Sequence, residues 1–197
     1  SVIHPSSIVS PLAKIHSSVN IGPFCIIGEC EIGEGSIIDS HCKIGDNIKI
    51  SKRVKIGTGV VIGGDGYGYV DEEDGSKLRF PHIGGVIVCD DVEIGSNTCI
   101  DKGTLSNTVI NQGVKIDNLV HIAHNVVIGK NSMIIANVVI GGSTLIGENS
   151  WIAPSATLRD GISIGSGSTV GLAALVTKSI PSNEIWAGFP AKFVRDK

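Results

Sequence analysis

The chain has 197 residues, one domain's worth, with 42% hydrophobic and only 4% aromatic residues, 26 Gly and a formal net charge of −3. That balance leaves no basic tract for nucleic acid and no acidic disordered arm. No apolar run is long enough to span a membrane and no secretory leader pattern opens the sequence, so the expectation is a cytoplasmic protein without stable membrane insertion.

In chain order, the first signal is an aliphatic residue at every sixth position: Ile3, Val9, Ile15 and Ile21. After a one-residue slip the series resumes as Ile32, Ile38, Ile44, Ile50, Ile56 and Ile62. Residues 64–87, GGDGYGYVDEEDGSKLRFPHIGGV, then break the period. A loop of that length inside a compact domain serves function or is disordered, and Tyr67, Tyr69 and Phe80 suit a folded projection. The acidic run Asp71 to Asp74 suits a solvated tip. Val88, Ile94 and Ile100 restore the period, and 101–108 (DKGTLSNT) interrupts it briefly. From Ile110 to Val176 every sixth residue is aliphatic without a miss. The tail KSIPSNEIWAGFPAKFVRDK abandons the period, and Pro181 and Pro190 argue for an extended segment that covers the open end.

A period of six maintained this long specifies an all-β solenoid of hexapeptide repeats. The aliphatic points inward, and a small or β-branched residue two positions earlier (Ser132, Thr144, Ser150) lines the corner. The Gly that often follows the aliphatic (Gly129, Gly141, Gly147) is expected to permit the turn. Three hexads close a coil of 18 residues, and coils stack about 4.8 Å apart. This predicts a parallel β-helix of roughly eight coils over 1–180, with a projecting loop at 64–87 and an extended tail at 181–197. The five cysteines (Cys25, Cys30, Cys42, Cys89, Cys99) form no CxxC pair. They are expected as free packing residues of a reducing compartment, with neither disulfides nor metal.

The densest chemistry lies in Lys115 to Gly129, KIDNLVHIAHNVVIG. Ile122 is an inward position, so His121 and His124 face outward. Two histidines three apart on a β-coil do not converge on one point, so no shared metal is expected. One coil beyond His124 stands Gly142, whose backbone N–H and bare Cα suit the oxyanion side of an acyl transfer.

These stretches resemble a known family. IHPSSIVSPLAKI…VNIGPFCIIG is similar to the O-acyltransferases of lipid A synthesis. GGDGYGYV, VEIGSNTCIDKGTLSNTVI and KIDNLVHIAHNVVIG resemble the UDP-3-O-(3-hydroxyacyl)glucosamine N-acyltransferases. The resemblance covers nearly the whole chain. It implies a left-handed winding, a homotrimer, His124 as general base and Gly142 as oxyanion donor. It also implies Asp117 and Asn118 in the active site from the facing subunit. His121, Tyr67 and Tyr69 fall to the nucleotide-linked amino sugar, Asn125 to that sugar or to orienting His124, and Lys178 to a phosphate. A histidine titrates near neutral pH, which suits it to take the proton an amine loses on attacking a thioester.

The pattern departs from the family in three places. The chain opens almost directly on repeats, without the uridine-binding N-terminal domain. Leu158-Arg159-Asp160-Gly161 stands where the family carries a further histidine, and its C-terminal helices for acyl carrier protein have no counterpart. IWAGFPAKFVR is instead similar to the end of acetyl-CoA-dependent sugar N-acetyltransferases, which puts Gly188, Pro190 and Lys192 beside coenzyme A. The expectation is therefore N-acetyl transfer from acetyl-CoA to a nucleotide-linked amino sugar. The long-chain lipid A reaction with an acyl carrier protein is the alternative, and O-acetyl transfer the third reading. A zinc-dependent carbonic anhydrase would need converging histidines, and an ice-binding helix a flat Thr array; neither pattern is present.

Overall fold

The structure, a computed structural model, describes residues 1–197 and is entirely β. Three parallel sheets form the faces of a left-handed triangular prism. Face A carries Ile116 and Ile134 inward, face B Ile122 and Ile140, and face C Ile128 and Ile146; each pair lies in register one coil apart. These aliphatics are buried, most of them completely, and join into one core of 41 residues. The corner-lining residues are as deeply buried, and Ser132, Thr144 and Ser150 hydrogen-bond backbone carbonyls of neighbouring coils. Small hydroxyl residues recur there because each donates to a corner carbonyl from inside the prism.

The glycines act differently from the expectation. The corner residue with positive φ lies three positions after the inward aliphatic and is most often Asn: Asn125 (φ 61°), Asn131 (56°), Asn137 (66°) and Asn149 (55°). Asn tolerates this region because its short side chain can hydrogen-bond locally. The Gly directly after the aliphatic is required by closeness. A Cβ on Gly129 would stand 2.5 Å from Glu148 N, and one on Gly141 2.5 Å from Asp160 N, both in the next coil.

Face A counts ten rungs before the final strand, more than the eight coils expected. The repeats supply nine of these rungs and the tail the tenth. Ile180 bridges Ile164 on face C, and Glu184–Ala187 adds a parallel rung to Thr169–Val170 on face A. Lys192–Asp196 then turns back antiparallel, so the tail is a β-hairpin and not a simple extended segment. Ala191 is buried in the core and Trp186 packs against it, which closes the C-terminal end. The cysteines are free; Cys25, Cys30 and Cys42 are buried, and desolvation pushes the Cys30 and Cys42 thiols up to about 11.

Every irregularity in the period falls at one corner, between faces B and C. The slip before Ile32 shortens that corner by one residue, so Lys14 pairs Glu31 instead of a residue 18 away. The long insertion leaves from Ile62 on face B and returns at Val88 on face C, so that stacked residues such as Lys52 and Asp90 are 38 apart. The short one lies between Ile100 and Ile110, where stacked residues are 22 apart. The long insertion carries a two-stranded hairpin, Tyr69–Asp71 with Lys77–Arg79, and its acidic tip is exposed as expected. Its base is clamped on the short insertion: Ile83 N–H donates to Thr104 O, and Gly103 N–H to Gly85 O.

Candidate active site

His124 lies on this same corner, one coil beyond the short insertion. Asn125 follows it at the left-handed corner position, and this single backbone feature orients the site. The Asn125 Oδ1 atom accepts from the backbone N–H of Thr104 at 3.1 Å, which fixes which end of the amide is oxygen. Thr104 Oγ1 donates to the same oxygen at 2.8 Å, while Asn125 Nδ2 donates to Ser106 Oγ at 2.8 Å. His124 Nδ1 stands 3.0 Å from Asn125 Oδ1. An oxygen held as acceptor forces Nδ1 to be the protonated nitrogen, so neutral His124 presents a bare Nε2. The tautomer required of a general base is thus imposed by the chain.

Gly142 lies against the exposed side of that ring. A Cβ there would stand 2.7 Å from both Cε1 and Nε2 of His124, so any side chain would displace the imidazole. Ser143 N–H donates to His124 O across the same rung, whereas the Gly142 N–H makes no hydrogen bond within the chain. A free donor beside a bare imidazole nitrogen is the arrangement acyl transfer needs: one group takes the nucleophile's proton, the other receives the oxyanion.

Two side chains absent from the expected site, His82 and Asp101, lie near His124, and an ion pair lies near His82. His82, from the end of the long insertion, is 6% exposed and sits edge-on to His124 with ring centroids 5.2 Å apart. Asp101 is largely enclosed between faces. Burial raises its carboxyl above the usual 3.8, while His121, His124 and His82 pull the other way. Lys102 pairs with Asp65 at 2.9 Å, and this bond holds the Asp65 carboxyl below its ordinary range.

The other expected residues are spread more widely. His121 points outward on face B, with Nε2 3.9 Å from Asp101 Oδ2. Asp117 and Asn118 occupy the corner between faces A and B, away from His124 of their own chain. Asn118 Oδ1 accepts from Ser96 N–H, and Asp117 Oδ1 from Asn118 N–H. Tyr67 and Tyr69 contact each other on the hairpin, with Tyr67 almost fully exposed. Lys178 is exposed at the B–C corner three rungs beyond His124, about 14 Å along the axis. Gly188 and Pro190 form the turn of the tail hairpin, which holds Leu175 from both sides: Leu175 N–H donates to Gly188 O and Ala191 N–H to Leu175 O. Lys192 is exposed beside that turn.

Fold and site together define a hexapeptide-repeat β-helix with a histidine-centred corner site. Residues 107–142 match the family model "Bacterial transferase hexapeptide (six repeats)". The chain is 51% identical over 131 residues, 66% of its length, to UDP-3-O-acylglucosamine N-acyltransferase of Delftia acidovorans. It is 51% identical over 138 residues to UDP-3-O-acylglucosamine N-acyltransferase 2 of Legionella pneumophila. It spans only 39% and 40% of those relatives' own lengths. Among solved structures, the UDP-N-acetylglucosamine acyltransferase of Francisella novicida superposes with a TM-score of 0.89 at 28% identity, over 98% of this chain and 69% of that one.

Proposed function

We propose that the protein is an N-acyltransferase that moves an acyl group from a thioester to the amine of a nucleotide-linked amino sugar. The observation that carries this reading is the His124 tautomer: Nδ1 is held protonated by Asn125, and Nε2 is bare beside the free N–H of Gly142. The named relatives are acyltransferases of nucleotide-linked amino sugars, which supports the substrate class.

In this reading the amine approaches His124 Nε2 and attacks the thioester carbonyl carbon. Nε2 takes the amine proton as the C–N bond forms, and Gly142 N–H donates to the oxyanion. Collapse breaks the C–S bond, and the His124 imidazolium returns the proton to the leaving thiolate. The donor's phosphates would lie toward Lys178, about 14 Å along the axis from the base, and the tail turn at Gly188, Pro190 and Lys192 beyond the last rung. A pantetheine arm is long enough to cover that distance. In a homotrimer, Asp117 and Asn118 of the facing corner would complete the pocket, with His121, Asn125, Tyr67 and Tyr69 toward the sugar. Five free thiols and a thioester co-substrate fit the cytoplasm.

Acetyl-CoA is the donor favoured by the tail, whose last strand and turn carry Lys192 and Arg195. A 3-hydroxyacyl carrier protein is the donor that the resemblance to the lipid A N-acyltransferases implies, and the relatives are named for an acylated UDP-glucosamine substrate. The deciding experiment measures thiol release from each donor with UDP-, GDP- and dTDP-amino sugars and UDP-3-O-acylglucosamine, comparing wild type with His124→Ala. Release that needs an amino sugar and collapses in the variant establishes the reaction and names the donor. No release from either donor refutes it.

A further inference from the structure

His82 is the one buried side chain in the molecule with a polar atom left unpaired. Its Nδ1 lies 3.0 Å from the Phe80 carbonyl oxygen, which can only accept, so Nδ1 carries the proton. Nε2 then bears a lone pair, and it is sealed from solvent without a partner. A bare buried acceptor destabilises a fold and calls for an explanation. Its surroundings supply one. Gly66 closes over it, and a Cβ there would stand 2.5 Å from His82 Nε2 and 2.9 Å from His124 Cδ2. One glycine therefore leaves His82 Nε2 and the Cδ2 edge of the His124 ring bordering the same small space, with the rings edge-on at 5.2 Å.

We propose that His82 is a positioning residue for the general base: its lone pair, the negative end of a fixed dipole, favours the imidazolium that His124 becomes during transfer. Water excluded from the contact strengthens such a dipole. The cost of an unpaired nitrogen in the resting state is offset when charge appears on His124. The insertion at 64–87 thus brings an electrostatic partner to the base as well as a projecting hairpin. The groups that share this field are Asp101 and His121 on face B, Lys102 with its partner Asp65, and Arg79 on the hairpin. All are kept in the variants below, so in the two His82 variants a change in His124 reports on His82.

The inference rests on His124 being the base of the proposed reaction, and its test has a readout independent of turnover. Asn at position 82 can keep the donor that bonds Phe80 O while removing Nε2; Gln can place an acceptor where Nε2 stood. Proton-resolved NMR titration of His124 is compared in wild type, His82→Asn, His82→Gln and Gly66→Ala, together with kcat and KM for the amino sugar. We expect His82→Asn and Gly66→Ala to lower the His124 midpoint below that of wild type and kcat by about 10-fold, with KM unchanged. His82→Gln should restore most of both. A purely structural His82 would give the opposite ranking, with Asn like wild type and Gln defective, and that ranking or an unmoved midpoint overturns the inference. A shifted midpoint in a protein that transfers no acyl group would refute the acyltransferase reading and leave the coupling intact. Normal transfer with no shift would do the reverse.

Discussion

Two corners of a single coil, at Asn125 and Asn131, share a backbone conformation and serve different ends. Both residues are left-handed, with φ of 61° and 56°. At the C–A corner, Asn131 is a turn residue, its amide oxygen lying against the Cα of Gly113 one coil earlier. At the B–C corner, the equivalent amide of Asn125 is turned onto Thr104, Ser106 and His124. The difference comes from the preceding coil. There the B–C corner is lengthened by four residues, and the added backbone supplies the Thr104 N–H that holds Asn125 Oδ1. A repeat that is uniform in its core can therefore acquire a site by lengthening one corner, because the extra chain stacks outside the prism and leaves the inward ladder untouched.

The comparison is broken most severely at His124. His124→Ala should lower kcat by about 10²- to 10⁴-fold, with thermal unfolding unchanged, whereas Asn131→Ala should leave kcat at wild-type level. Next in size is the core that both corners share. Ile128 is fully buried, and Ile128→Ala should cost about 2–5 kcal/mol by denaturant unfolding, against a far smaller loss for the outward Val127→Ala. Gly142→Ala should reduce kcat by roughly 10²-fold, since its Cβ would meet the His124 ring at 2.7 Å. Asn125→Ala should lower kcat by about 10-fold by releasing the tautomer, and a flatter pH–rate profile would mark that cause.

The smallest effect concerns Asp101. Its carboxyl is raised above 3.8 by burial, so the folded chain favours the protonated form. That contribution is fully present below the unfolded value and is lost as pH rises through the folded one. Asp101→Asn should therefore unfold at a slightly higher temperature than wild type at pH 7, with the gain vanishing near pH 3. An equal gain at both pH values would exclude ionisation as the reason.

The core ladder, the parallel coils and the stacking of Gly142 on His124 were legible because they depend on period alone. An inward residue every six positions closes a triangular coil of 18, and any residue 18 away is its neighbour. His82, Asp101 and Thr104 were not legible as site residues, since they lie in segments that leave the period. A signal was nevertheless present: both interruptions separate a face-B aliphatic from a face-C one, which assigns them to the corner of His124. The tail was misread for a related reason. Pro181 and Pro190 suggested an extended strap, yet Ile180 and Trp186 still had a core edge to cover and drew the chain into one more rung.

The sequence by itself determined the architecture, because burial of Ile and Val at a fixed spacing permits few other foldings of the chain. It also determined the neighbour of His124 one coil onward, Gly142. Only the tertiary structure decided which His124 nitrogen is bare and which buried nitrogen is unpaired. The first depends on hydrogen bonds from a segment 21 residues away and the second on the packing of His82 against Gly66 and His124, neither of which a local spacing encodes.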